Sequence, residues 1–277
     1  MNKPVSNILQ STAVKLLSEI LIKTDSPPSD KTVSSNYPES PAPSRSNRQE
    51  SPPHDPWQLR IVSSGDCQSY VVWNEHTREA LVIDAKAEDL NAYLTLQKDL
   101  PDYRWLGIID THTHADHISA TANLAALLNA PVFMQTLCAT ARVNFRITQT
   151  SALSTAAGPI RFIPTPGHTP DGMCVVWGPF CFTGDTVLYN DCGRDDLPGG
   201  NPTAHFQSLQ LLKKELHPDT LICPGHDFKG GRISSWGTQL KTNSSLIQDE
   251  KSFVEESVAF DAPAPALLKK SLFENLK

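Results

Sequence analysis

The sequence predicts an α/β fold of layered sheets and helices. Short apolar segments rich in β-branched and aromatic residues recur along it, and helical patterns fall between them. Histidines and aspartates collect where the apolar segments end. The chain has 277 residues, 39% hydrophobic and 19% charged, with a net charge of −6. That supports one core of roughly 200 residues plus appendages. An ordinary glycine content (14) and no sustained heptad exclude collagen-like and coiled-coil classes. The acidic balance argues against nucleic acid as partner, and no apolar run of about 18 residues predicts a membrane span.

In order, residues 1–23 carry Val5, Ile8, Leu9, Leu16 and Ile20 at helical spacing, predicting an amphipathic helix. It reads as a loosely held terminal helix, a docking helix for a protein partner over residues 5–23, or a targeting peptide. Residues 24–56 hold 8 Pro and 8 Ser, too few apolar groups to offset their ordering entropy, and predict a disordered linker. The folded domain is expected over 57–277. Leu59–Ser63, Tyr70–Trp73 and Leu81–Asp84 read as consecutive strands between polar turns. Ala87–Leu100 reads as a helix, Trp105–Ile109 as a buried strand, Ile118–Leu128 as a helix and Pro131–Met134 as a strand. Strands follow at Ile160–Ile163, Met173–Trp177 and Phe180–Thr183, then a helix over Pro202–Leu216 and a strand at Leu221–Cys223. From Ser234 onward the pattern is mostly helical.

The six cysteines include no C-x-x-C pair, and a chain of this length does not need disulfides. Lys15 and Glu19 interrupt any secretory apolar stretch. Free thiols in the cytoplasm, or in a mitochondrial matrix, are expected. Cys174 and Cys181 read as strand interior, Cys192 as a packing residue, and His54, His76, His205 and His217 as structural or solvent-facing.

The chemistry concentrates in Asp110-Thr111-His112-Thr113-His114-Ala115-Asp116-His117, an H-x-H-x-D-H pattern directly after a strand. Polar rings packed this tightly need partners, and a metal ion supplies one. Further candidates also follow apolar strands and sharp turns: His168 in Pro166-Gly167-His168-Thr169-Pro170, Asp185 in Phe182-Thr183-Gly184-Asp185, and His226 in Pro224-Gly225-His226-Asp227. Sheet ends of this kind present several side chains to one point.

These four motifs, in this order, resemble the metallo-β-lactamase superfamily. The resemblance implies an αββα sandwich with metal at one edge of its two sheets. His112, His114, His168 and Asp185 would surround one metal; Asp116, His117, His226 and the shared Asp185 would surround a second. Within the superfamily, Thr111–Ser119, Arg78–Asp84, Cys192-Gly193-Arg194, His226-Asp227-Phe228 and Arg232–Ser235 resemble persulfide dioxygenases of the ethylmalonic-encephalopathy type. That likeness implies one Fe(II) per chain on His112, His168 and Asp185, with Asp116 and His117 assisting catalysis. It also implies Arg194, Asp227 and Phe228 at a thiol persulfide such as glutathione persulfide. Phe228 stands where that group has Tyr, Asp195 where it has Thr, and Thr242–Ser245 where it has Asn-Pro-Arg.

The main alternative resembles glyoxalase II: two zinc ions hold a hydroxide that Asp116 orients against a thioester. Cys192-Gly193-Arg194 followed by Leu197-Pro198-Gly199-Gly200 also fits bacterial hydrolases of the superfamily. Against it, only 51 residues follow His226, short for the helical domain glyoxalase II adds there. A β-lactamase is not expected without an export signal. A vestigial binding module is at odds with seven intact ligand positions.

Overall fold

The computed structural model describes residues 55–228 and 233–277. The expected helix over residues 1–23 and nearly all of the expected linker lie outside the described residues, as does Arg232. The unit Trp57–Lys277 contains two six-stranded sheets.

The first sheet runs β1 (Trp57–Ser64), β2 (Cys67–Asn74), β3 (Glu79–Ile83), β4 (Arg104–Ile109), β5 (Val132–Gln135) and β6 (Phe145–Ile147), each beside the next. The first three pair antiparallel through tight turns; β3 to β6 pair parallel, which requires crossovers. The helices α1 (Leu90–Asp99) and α2 (Thr121–Leu128) provide two of them. Tyr93 and Leu96 of α1 and Leu124 and Leu128 of α2 pack on Val71, Val82 and Ile108, closing the outer face of this sheet.

The second sheet has the order β12-β11-β10-β9-β8-β7. Its strands are β7 (Ser151–Leu153), β8 (Ile160–Pro164), β9 (Met173–Trp177), β10 (Phe180–Gly184), β11 (Leu221–Pro224) and β12 (Ser234–Ser235). Only β10 and β11 pair parallel, and α3 (Pro202–Glu215) connects them. The C-terminal helices are α4 (Trp236–Thr242), α5 (Ser244–Ile247), α6 (Glu250–Ala259) and α7 (Leu268–Asn275). Leu209 and Leu212 of α3 pack with Trp236, Leu246 and Phe253 over Cys174 and Cys181.

Between the sheets, Phe133 stacks on Phe162 at 5.4 Å, Tyr70 lies 5.3 Å from Phe182, and Trp57 meets Trp177 edge-on at 4.7 Å. The layering is therefore helix, sheet, sheet, helix, as expected. Three details differ from the sequence reading. Strands β6 and β7 appear where none was expected; three residues each are too few to show alternation. Ser234–Ser235 form a short edge strand rather than the start of a helix. The helix expected from Ile118 begins at Thr121, because Ser119 and Ala120 are tied to Asp110 and Ala85.

Candidate metal centre

The loop after β4 is held open from below by two buried carboxylates. Asp84, just after β3, accepts the Thr111 backbone N–H at 2.7 Å and the Thr111 hydroxyl at 2.9 Å. Asp110 accepts the hydroxyls of Ser119 at 2.7 Å and Thr121 at 2.6 Å, closing the loop on itself. From the far end of the chain, Asn275 in α7 donates to the carbonyls of His114 at 2.9 Å and His117 at 2.8 Å and accepts the Ser119 N–H at 2.8 Å. Asp171 accepts the Thr113 N–H at 3.0 Å. Across the cleft, Gly184 (φ +48°) makes the sharp turn that presents Asp185; a Cβ there would run into the Thr111 hydroxyl. At Gly167 a Cβ would collide with the backbone of His205, so only glycine lets the His168 loop rest on α3.

These supports decide which ring nitrogens are free. Thr111 gives its hydroxyl proton to Asp84, so it accepts from His112 Nδ1 at 3.0 Å and leaves Nε2 with the lone pair. The Arg194 carbonyl can only accept, so His168 Nδ1 donates to it and Nε2, 3.5 Å from Asp185 Oδ2, is free. His114 Nε2 faces Asp84 Oδ1 at 3.1 Å, and its buried Nδ1 has no partner among the described residues. Carboxylate or carbonyl behind the ring and a lone pair in front is the arrangement of metal-ligating histidines.

Donor atoms of His112, His168 and Asp185 lie within 4.8 Å of one another, as do those of Cys67, Asp116 and His117. Asp185 Oδ1 is 2.7 Å from His226 Nδ1, and Asp116 Oδ2 lies 3.2 Å from His226 Nε2 and 3.1 Å from His117 Nδ1. The structure thus brings His112, His168 and Asp185 together and Asp116 beside His117, with His226 bridging Asp116 and Asp185, whereas the donor atoms of His114 group with Asp84 and Asp110. The orphaned His114 Nδ1 and the His112, His168 and Asp185 donor group fit a divalent cation.

Electrostatics divide the histidines into two kinds. Burial and the neighbouring His114 push His112 down to about 3; burial and His117 push His114 down to about 4. Both rings are neutral at pH 7 with lone pairs available. Burial acts the same way on His117, but its hydrogen bond to Asp116 outweighs it and raises the ring to about 10. His226 is also raised against burial, by the charge of Asp185 and its bond to Asp116. In return Asp116 and Asp185 sit well below the ordinary carboxylate range despite burial.

A cavity of about 670 Å³ opens onto this cleft, with Asp116, His168, Asp185, Arg194, His226 and Phe228 in its wall. Phe228 is 64% exposed and stacks on His226, ring centroids 5.0 Å apart. Asp227 is not in that wall; its N–H donates to Asp66 at 2.9 Å. Arg194 reaches the cavity, but its fork grips Asp196 at 2.7 Å and the carbonyls of Ala262 at 2.9 Å and Pro263 at 2.8 Å. Its guanidinium thus ties the C-terminal segment across the cavity rim. Burial pushes the Cys192 thiol up to about 12, in keeping with a packing role. His205 is fully buried between Asp195 and the Thr186 carbonyl. Sequence reasoning missed Cys67 and Asn275, which carry no local pattern, and read Asp84 only as the end of the Arg78–Asp84 segment.

Residues 149–226 match the sequence profile of the Metallo-beta-lactamase superfamily. The persulfide dioxygenase ETHE1 of Homo sapiens is 27% identical over 211 residues, 76% of this chain and 83% of that protein. The crystal structure of ETHE1 from Myxococcus xanthus is similar with a TM-score of 0.74 and 27% identity, covering 79% of this chain and 98% of that one. A probable polyketide biosynthesis zinc-dependent hydrolase of Bacillus velezensis is 30% identical over 191 residues, 66% of this chain and 82% of the hydrolase. Dioxygenase and hydrolase relatives thus share one scaffold with it, and across that scaffold the chain belongs to the metallo-β-lactamase superfamily.

Proposed function

We propose that this metal-dependent enzyme is an iron-dependent persulfide dioxygenase, converting a thiol persulfide, dioxygen and water to sulfite and thiol, with catalysis in residues 57–277. The observation that carries this reading is the convergence of His112, His168 and Asp185, beside a 670 Å³ cavity. Two histidines and one carboxylate on one face are the donor set of non-haem Fe(II) oxygenases. Held there, Fe(II) supplies redox chemistry and open positions for dioxygen and a sulfur ligand together.

The chain's own residues do the rest. Thr111 and the Arg194 carbonyl hold His112 and His168 in the tautomer that presents Nε2. His226 holds Asp185 Oδ1, leaving Oδ2 toward His168. Asp116, bridged to His117 and His226, keeps protons at the cavity wall, where the departing thiolate takes one up. Phe228 and Phe260 offer apolar surface to the carrier. Arg194, once released from Asp196, would meet a carrier carboxylate with a planar fork.

A second reading is a dinuclear-zinc thioester hydrolase; the Cys67, Asp116 and His117 group beside the first favours it. Elemental analysis of anaerobically purified protein, paired with oxygen uptake on glutathione persulfide, separates them. About one iron per chain with substrate-dependent uptake is expected. Zinc at about two per chain and no uptake would overturn the dioxygenase and direct the assay to acyl-glutathione and acyl-carrier thioesters.

A further inference from the structure

His205 carries no motif, and it is fully buried in the first turn of α3. Both of its ring nitrogens are engaged. Nε2 lies 2.9 Å from the Thr186 carbonyl, and Nδ1 lies 3.2 Å from Asp195 Oδ2. The carbonyl can only accept, so Nε2 donates to it. The Asp195 carboxylate, 5% exposed, accepts as well, and its other oxygen already takes the Ser257 hydroxyl of α6. A proton therefore lies between Nδ1 and Oδ2. Phe253 of α6 meets the imidazole edge-on, ring centroids 5.6 Å apart, and closes that side.

Both ends of this bridge adjoin metal-ligand candidates. Thr186 directly follows Asp185, and Asp195 directly follows Arg194, whose carbonyl accepts from His168 Nδ1 at 2.5 Å. The Gly193 N–H donates to the Asp185 carbonyl at 2.8 Å, so residues 193–195 cross from one ligand loop to the other. Two further bonds seat α3 under the His168 loop: the Asn201 N–H to the Gly167 carbonyl at 2.8 Å, and the Ser208 hydroxyl to the Pro166 carbonyl at 2.7 Å. A buried ionisable pair is costly, and apolar residues of similar volume would hold a helix at least as well. Apolar residues could not grip the Thr186 carbonyl or anchor residue 195 behind the Arg194 carbonyl. Asp195 stands where the resembling dioxygenases have Thr, so this carboxylate is a feature of this chain.

We propose that Asp195 and His205 are positioning residues for the metal position of His112, His168 and Asp185. Their hydrogen bond fixes from behind both the carbonyl that orients His168 and the turn that presents Asp185. They belong to neither donor group of the cleft, so they act through those two ligands. Breaking the bond frees the His168 ring and the Asp185 carboxylate to drift apart. The inference holds whether that position performs oxygenation or hydrolysis, and rests only on a metal being held there.

The test is anaerobic titration of the metal-free full chain with Co(II), whose visible bands report the geometry of its ligands. His205→Gln keeps a donor for the Thr186 carbonyl but sets an oxygen against the Asp195 carboxylate, with no proton between them. It is expected to weaken Co(II) binding about 10–100-fold and to shift the bands of the bound ion. Combining His205→Gln with Asp195→Asn returns an amide N–H to that gap and should recover both readings. A role in packing alone would lower the melting temperature of the metal-free single variant and leave affinity and bands as in the parent; that result overturns the proposal. So does a loss that the double variant fails to recover. If His205→Gln does not fold, Asp195→Ala is read in the same way: weaker binding and shifted bands are expected, and parent values overturn the proposal. Parent values together with oxygen uptake on the persulfide defeat this inference and leave the dioxygenase reading standing. A parent chain that binds no Co(II) defeats both.

Discussion

Asp84 decides which nitrogen of His114 is free, though it lies 30 residues before it. Asp84→Asn is expected to weaken metal binding about 10–100-fold with the fold intact, measured by competition with a chromogenic chelator. An unchanged affinity would mean that the ring is oriented by packing alone. His168→Ala should remove the metal outright, read as metal content after dialysis. The candidate ligand cluster was legible because three histidines and an aspartate within six residues have no structural use in common. Asp84 was legible only as the end of the Arg78–Asp84 segment, not as the partner of His114, and Cys67 was not legible, because a lone thiol after a turn looks like many others. Arg194 was legible as a residue of the cleft and its pairing with Asp196 as a neighbouring acid, but its bonds to Ala262 and Pro263 were not, since these lie 68 and 69 residues away.

The elements position the cleft by their ends. Strands β3, β4, β10 and β11 all run out at the same edge, and each is followed by a residue of the cleft: Asp84, Asp110, Asp185 and Gly225-His226. Apolar runs between polar turns made these strands readable, whereas β6 and β7 exist through pairing with β5 and β8. The C-terminal helices contribute what sequence could not show. Asn275→Ala removes three hydrogen bonds to the ligand loop and is expected to lower stability by about 1–3 kcal/mol and metal affinity with it, read by thermal unfolding with and without metal. Asn275→Asp keeps the acceptor for Ser119 but loses both donors, and should fall between. Arg194→Ala is expected to preserve metal content, raise KM, and increase protease cleavage within residues 260–265 several-fold, because the segment loses its tie.

On the scale of the molecule, the two sheets are joined by more than apolar packing. Glu79 of β3 is 1% exposed, accepts the N–H groups of Ala156 at 3.2 Å and Ala157 at 2.8 Å before β8, and pairs with Arg104. Burial pushes its carboxyl up, but these hydrogen bonds and Arg104 outweigh it and hold the group below its ordinary value of 4.5. The stabilisation is therefore present above pH 4.5 and lost as pH falls through the lower folded value. Glu79→Gln should cost about 1–3 kcal/mol at neutral pH, and its gap to the parent should close on acidification, measured by denaturant unfolding across pH. A gap constant down to about pH 3 would show that the carboxylate charge contributes nothing. The layered architecture was legible from the alternation of strands and helices. This clamp was not, because its partners are 77 and 78 residues apart.

The contact between Asn275 and the loop carrying His114 and His117 spans up to 161 residues of sequence. A ribosome makes the chain from its N-terminus, so the loop emerges long before the side chain that pins it. Until α7 has been synthesised and docked, the carbonyls of His114 and His117 have no Asn275 to meet. Chains that have not yet made and docked α7 are therefore expected to bind metal more weakly than the folded protein.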